Sequence, residues 1–300
     1  MTWYQIPELP DDQLPKPRWD PVPTIWPTGQ RGEQLVERGY SAATVRDHRR
    51  VPPATAAYAI LALTPHGGTV LDPDCGAGTV LVEALRCGRH AVGVAHGRRW
   101  WALARANVTA AKRQGAAADA MVLPTSRTQE EIGTADLIVT AWRPPADLTP
   151  CGDGHDKGDD RLTATLKWSR TMLNPGGHLV VVARPRRRRG YLLDGPGNIH
   201  RAAIAARLAP VARCIALATP LDDGRLIFQP TWTQRRSADR VERLTSLPVA
   251  VPAHHDVLVF RAPPAATRAA AGALPERGPV PARLRALVDQ PELADVRGAA

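Results

Sequence analysis

Three stretches of the chain hold residue types that can do chemistry. The first is Asp72-Pro73-Asp74-Cys75-Gly76-Ala77-Gly78-Thr79, an acidic residue followed by two glycines and a hydroxyl. Glycines let a backbone approach a ligand closely, and a helix opening after them offers free N–H groups to an anion. The second is Thr140-Ala141-Trp142-Arg143-Pro144-Pro145, a hydroxyl, an aromatic ring and two rigid prolines at the end of an apolar run. The third is Arg184-Pro185-Arg186-Arg187-Arg188-Arg189, whose guanidinium forks suit phosphate. No metal site is expected. Cys75, Cys87, Cys151 and Cys214 form no C-x-x-C pair, so neither a zinc site nor a disulfide framework follows from them. His254 and His255 are adjacent on an apparent strand and would point to opposite faces.

Positioning these residues takes alternating strands and helices. Residues 48–64 read as a helix with Pro52 and Pro53 near its start, where proline is tolerated. A buried strand at 69–71 runs into the glycine turn. Helix follows at 79–86, strand at 91–94, helix at 98–112 and short strand at 120–123. The segment 135–142 reads as a strand that ends at Pro144-Pro145, and 151–160 as a polar, glycine-rich loop. A helix over 162–173 stops at Asn174-Pro175-Gly176-Gly177, and a fifth strand covers 178–183. After a helix at 198–208 come Cys214 to Pro220, Gly224 to Phe228 and a strand at 255–260, with no helix read between them. This order predicts an α/β fold with a mostly parallel, doubly wound sheet and an antiparallel hairpin at its edge.

The sequence divides into a proline-rich arm over 1–47, a body over 48–264 and an Ala/Pro/Arg-rich tail over 265–300. Seven prolines in the arm forbid regular helix, and Trp3, Trp19 and Trp26 predict that it docks on the body or on a ligand. With 300 residues, 44% of them hydrophobic, the chain can bury a large core. No apolar run approaches the ~20 residues of a membrane span, and no basic-then-apolar leader opens the chain, so the expected address is the cytoplasm. Net charge is +10, almost all of it arginine; lysine appears only at 16, 112, 157 and 167. A G- and C-rich genome explains the arginine bias by itself. The clustering at 184–189 is the better pointer to a nucleic-acid partner.

A dinucleotide site calls for G-x-G-x-x-G and an acidic residue ~20 positions later. Here only Gly76 and Gly78 are present, and the acidic Asp72 precedes them. A carboxylate at that place accepts from an ammonium group, which S-adenosylmethionine has and NAD lacks. In this context "VLDPDCGAGTVLVEAL" resembles the cofactor motif of amino-group DNA methyltransferases, usually written DPFCGSGT or DPMCGIGT. "GRHAVGVAHGRRWWALARAN" is similar to the segment that follows it, and "HRRVPP" to the HPAKMP stretch before it. "ADLIVTAWRPP" stands where the family has a strand ending in S/D/N-P-P-Y. "NPGGHLVVVARPRRRRGYLLD" and "HHDVLVFR" look like its late strands. The resemblance covers about residues 24–262 in the expected order.

The resemblance implies a Rossmann-like class I methyltransferase fold with S-adenosylmethionine as cofactor. It makes His48, Asp72, Pro73, Cys75, Gly76, Gly78, Thr79 and Asp119 the candidate cofactor residues, with Asp119 contacting the adenine amino group. Thr140, Trp142, Pro144 and Pro145 become the candidate catalytic residues, and Arg184 with Arg186, Arg187, Arg188 and Arg189 the nucleic-acid contacts. The expected partner is DNA.

Two departures stand out. The second strand ends Gly93-Val94-Ala95-His96 where the family has G-V-E, so the carboxylate that accepts from both ribose hydroxyls is missing. Losing such acceptors costs roughly 1.5–3 kcal/mol, about ten- to a hundredfold in affinity. In the P-P-Y region, aligning the prolines puts Arg143 at the acceptor position and Ala146 at the aromatic one, and arginine is donor-only. Aligning the strand puts Ala141 at the acceptor position and leaves Trp142 as a stacking platform. Asp147, Asp153 or a second subunit would have to supply what is missing. The expected activity is methylation of an exocyclic amino group in DNA. The alternatives are a non-catalytic DNA- or partner-binding relative and an RNA methylase.

Overall fold

The computed structural model describes residues 22–29, 34–126, 132–142, 157–188, 191–246 and 248–263. Strand β1 (Ile25–Trp26), the single turn α1 (Gln34–Glu37) and a 3-10 turn at Ala42–Arg46 precede helix α2 (Pro53–Leu63). Then come β2 (Thr69–Asp72), α3 (Thr79–Arg86), β3 (His90–Ala95), α4 (Arg98–Arg113), β4 (Ala120–Pro124) and β5 (Ala135–Ala141). The second half holds α5 (Lys157–Met172), β6 (Leu173–Ala183), the hairpin β7 (Arg187–Arg188) and β8 (Tyr191–Leu192), and α6 (Gly195–Ala205). It closes with β9 (Ala209–Leu217), the hairpin β10 (Leu221–Asp222) and β11 (Arg225–Leu226), α7 (Trp232–Thr245) and β12 (His254–Arg261).

Eight strands form one sheet in the order β1-β9-β12-β6-β5-β2-β3-β4. Only β12 runs against its neighbours; every other pair is parallel. This is the expected Rossmann-like fold, a doubly wound sheet with an antiparallel pair towards one edge. Parallel strands buried on both faces read as near-continuous apolar runs, and Leu137-Ile138-Val139 and Leu179 to Val182 are such runs, at most 3% exposed. One face packs Ile60 of α2, Leu81 of α3 and Ala104 of α4 against Val70, Leu137 and Val180. The other packs Leu166 and Met172 of α5 and Ile199 of α6 against Leu71, Ile138 and Leu179.

Helix α2 starts at Pro53 because Pro52 takes the cap position, five residues later than the sequence pattern indicates. Strand β6 begins at Leu173, directly after α5, so Asn174 to Gly177 lie within a strand that the turn residues had led us to start at 178. The edge pair is not a tight hairpin. Between β9 and β12 the chain makes an excursion with its own hairpin and the helix α7, which the sequence reading did not contain.

The described part of the arm docks on the body. Trp26 is 1% exposed and stacks on Tyr58 of α2 with ring centroids 4.8 Å apart. Beside it, β1 adds to the sheet edge in parallel with β9. The loop read over 151–160 is helical from Lys157, where α5 begins five residues earlier than the pattern indicates; residues 151–156, Trp3, Trp19 and the tail 265–300 lie outside the described residues.

Candidate cofactor and nucleic-acid site

The sheet reverses its winding between β2 and β5. In open α/β sheets ligands settle beyond the carboxyl ends of the strands at such a switch point. Asp72 ends β2 there, 3% exposed, and its Oδ1 accepts from the Asp74 amide at 3.1 Å. The turn itself needs two glycines. Gly76 has φ +51° and Gly78 φ +78°, the left-handed region that other residues enter at a cost. A Cβ on Gly78 would also lie 3.0 Å from the Cβ of Ala104, so the turn packs against α4 at backbone distance.

The peptide unit of Ala77 is gripped from both sides. Its N–H donates to Asp47 Oδ2 at 2.9 Å, and its C=O accepts from Asn107 Nδ2 at 2.8 Å. Asp47 and Asn107 are 2% and 1% exposed. Asn107 also donates to Thr44 Oγ1 and accepts from the Ser41 amide, and Thr79 Oγ1 donates to the Val51 carbonyl at 2.9 Å. Residues 41–51 thus form a strap across the turn. The amide of Gly76 has no acceptor among the described residues, which leaves it for a ligand carboxylate. Behind the turn, Glu83 of α3 is 1% exposed, with Arg38 at 2.5 Å, Arg86 at 2.9 Å and the Tyr40 hydroxyl donating at 2.6 Å. Burial, and next the Glu83 charge, push the Tyr40 phenol well above its usual range.

The other expected site residues divide. Pro73 and Cys75 lie in the turn, Cys75 2% exposed with its amide on the Val94 carbonyl, and Thr79 opens α3. His48 is exposed on the strap. Ala95 ends β3 at 2% exposure, and the exposed His96 brings Nε2 to 3.4 Å from the Pro73 carbonyl. The His96 imidazole thus lies beside the turn, next to the strand end where the resemblance places the ribose.

Asp119 is in the wrong place for adenine. It precedes β4, which pairs in parallel with β3 from Ala120 to Pro124, so Asp119 sits at the amino end of the strands. It is an exposed partner of Lys112 at 2.9 Å, and about five residues of strand, roughly 16 Å, separate it from the carboxyl edge. The exposed Thr125 and Ser126 occupy that edge instead.

Thr140, 4% exposed, lies on the strand beside β2, two residues past the last β2–β5 pair at Leu71 and Ile138. Alternation puts its side chain on the face of Ile138, with α5 and α6, whereas Asp72 is on the face of Val70. Trp142 is half-buried, and a Cβ on Gly195 would meet its ring at 2.4 Å, so the indole edge packs on the first residue of α6 rather than standing free as a platform. Arg143, Pro144, Pro145, Ala146, Asp147 and Asp153 lie outside the described residues.

The arginine run emerges from the carboxyl end of β6, the same edge as the turn. Burial, and next the charge of Arg50, lower the Arg184 pKa, with Asp47 opposing; burial and Arg49 do the same to Arg186. Arginines of the strap and of the run thus crowd each other, which favours an anion between them. Arg187 and Arg188 form β7, and Arg189 lies outside the described residues. At the start of β12, His255 is 7% exposed with no partner for Nδ1; burial, then Arg184 and His254, push its pKa down to about 3. Asp47 and Asn107 were not singled out from sequence, Arg49 and Arg50 entered only within the HRRVPP stretch, and His255 only as half of a pair that points to opposite faces. Among the described residues no cluster fits a metal ion, and no helix is long and apolar enough to cross a membrane.

No curated protein matches the chain. Among solved structures it is similar to TrmN from Thermus thermophilus, at 15% identity and TM-score 0.46 over 77% of this chain and 52% of that one. The chain therefore spans about half the length of that structure. Precorrin-6y C5,15-methyltransferase from Geobacter metallireducens is similar at 10% identity and TM-score 0.46, covering 78% and 97%. The B. subtilis tRNA methyltransferase TrmK is similar at 14% identity and TM-score 0.40, covering 71% and 65%. Residues 10–101, which include the strap, the glycine turn and the second strand, match the N6_N4_Mtase model of DNA methylases, the family that the motif resembles.

Proposed function

We propose that the protein is an S-adenosylmethionine-dependent methyltransferase acting on an exocyclic amino group of a base in DNA. The observation that carries this reading is the strapped glycine turn at the switch point, with a buried carboxylate before it and an available amide inside it. Asp72 would accept from the cofactor's ammonium group and the Gly76 amide would donate to its carboxylate. When bound, S-adenosylmethionine supplies an electrophilic methyl group on a sulfonium. The protein's part would be to hold the amine in line with that methyl and to let one amine proton leave to an acceptor or to water. Thr140 follows the β2–β5 pairs on the face away from Asp72, so the proton acceptor would come from another group, and the Arg184 to Arg189 run with Arg49 and Arg50 would hold the phosphates around the target.

Calorimetry with S-adenosylmethionine tests the cofactor site. Binding in the micromolar range is expected, weakened by the missing ribose carboxylate. Transfer of a tritiated methyl group to unmethylated DNA, with RNA in a parallel reaction, tests the chemistry. Counts in RNA alone would replace the DNA reading.

A second reading is a non-catalytic relative that keeps nucleic-acid binding. It is favoured by Ala95 at the ribose position and by the packing of Trp142 on Gly195. Salt-sensitive DNA binding without detectable cofactor binding is its signature.

A further inference from the structure

The excursion between β9 and β12 leaves the sheet at Leu217 and returns at His254, which face each other in the antiparallel register. Both lie on the carboxyl edge, the edge of the glycine turn and the arginine run. Within the excursion α7 has no buried residue. It caps itself: Thr231 Oγ1 accepts from the Gln234 amide and the Gln234 side chain accepts from the Thr231 amide. Such a capping box holds a helix end without help from the body.

The helix has two different sides. Ala238, Val241 and Leu244 border an apolar groove of about 940 Å³ towards Leu192 and Val251. At 100° per residue, Trp232, Arg236 and Arg243 fall within about 40° of one another away from that side, with Asp239 flanking Trp232 and Arg240 bordering the groove. Trp232 is 70% exposed, and the Arg236 guanidinium lies 5.0 Å from its ring centroid. Phe228, 38% exposed, stands in the irregular segment between β11 and the helix. The chain contains only two phenylalanines, so placing one on the surface beside an exposed tryptophan is a departure from core use. Asp239 and Glu242 reduce the helix's net charge to +2, from four arginines less two carboxylates.

We propose that this outer face of α7, with Phe228, is a second nucleic-acid contact, taking a base on the Trp232 ring and phosphates on Arg236 and Arg243. Exposed aromatic faces interleaved with arginine are what single-stranded nucleic acid uses for stacking and charge neutralisation. An acidic protein face would also meet arginines; the Arg236–Trp232 stack on a chain of net charge +10 favours a polyanion that also offers rings to stack. The inference deepens the nucleic-acid part of the proposed function and does not require the cofactor site to work.

The test is fluorescence anisotropy of the full chain with a labelled single-stranded oligonucleotide, across a salt series. Trp232→Ala should weaken binding about five- to a hundredfold, and Trp232→Phe should restore most of it. Arg236→Ala with Arg243→Ala should reduce the slope of log K against log salt by about 1.4. Unchanged affinity and slope in these variants would overturn the proposal, as would a parent that binds no oligonucleotide. A change of oligomeric mass in Trp232→Ala, measured by light scattering, with affinity retained would also overturn it, because the patch would then be an interface between copies. Titrating the same variants with S-adenosylmethionine separates the two proposals: failure of cofactor binding in the parent sinks the transferase and leaves the α7 result standing.

Discussion

The glycine turn and the β9–β12 excursion share one edge of the sheet and are built in opposite ways. Around the turn, polar groups are buried and paired: Asp47, Asn107, Glu83 and Thr79 are at most 2% exposed, each with hydrogen-bond partners inside the protein. In the excursion, α7 has no fully buried residue, and Leu226, Ile227, Phe228 and Trp232 all face solvent. A buried polar network fixes a single geometry, because each unmade bond in it is expensive. An exposed helix that caps itself can tolerate surface change. The difference is that between a preorganised small-molecule site and a surface open to a large partner.

Breaking the buried side should cost most. Glu83→Ala removes the carboxylate shared by Arg38, Arg86 and Tyr40. A loss of about 3–5 kcal/mol in urea unfolding is expected, because the cationic and phenolic partners are left without their acceptor. A loss below about 1 kcal/mol would mean the cluster is solvated after all.

Gly78→Ala should come next, at about 2–4 kcal/mol, from a left-handed backbone and a methyl forced against Ala104. Thermal melts measure it, and Gly67→Ala is a control with a similar φ of +73° and open space around the added Cβ.

His255 sits between the two regions and gives the comparison a pH axis. Its folded pKa of about 3 lies below the usual 6.5. The unfolded chain therefore binds a proton that the folded chain refuses, and stability falls as pH drops from 6.5 towards 3. The loss should be about 2 kcal/mol between pH 7 and pH 5, and His255→Gln should remove that share of the slope. An unchanged slope in the variant would show the imidazole titrating normally.

Smallest should be the effect of Trp232→Ala on folding, within about 0.5 kcal/mol, since the ring is 70% exposed and the group over it is the Arg236 guanidinium of the same helix. A larger loss would make the excursion part of the core and erase the contrast.

Much of the scaffold was readable in advance. Continuous runs such as Leu179 to Val182 announce buried parallel strands, and the Asp72 to Thr79 motif marks the turn by its glycines. The misses differ in kind. Helix α7 carries few apolar residues, but Ala238, Val241 and Leu244 recur at helical spacing and the Thr231/Gln234 box marks its start, so its signals were present in the sequence. Asp119 was misplaced because β4 begins just after it, and a one-sided strand of five residues gives no direction mark. Asp47 and Asn107 could not be found from motif spacing, because their meeting at Ala77 is made by tertiary folding across 30 residues on either side. The orientation of Thr140 followed from strand alternation only once the register with β2 was known.

The contact between Gly78 and Ala104 ties two positions together. Position 104 lies in the middle of a helix, well along the chain from Gly78, yet the two meet at backbone distance, so neither can gain volume without the other giving way.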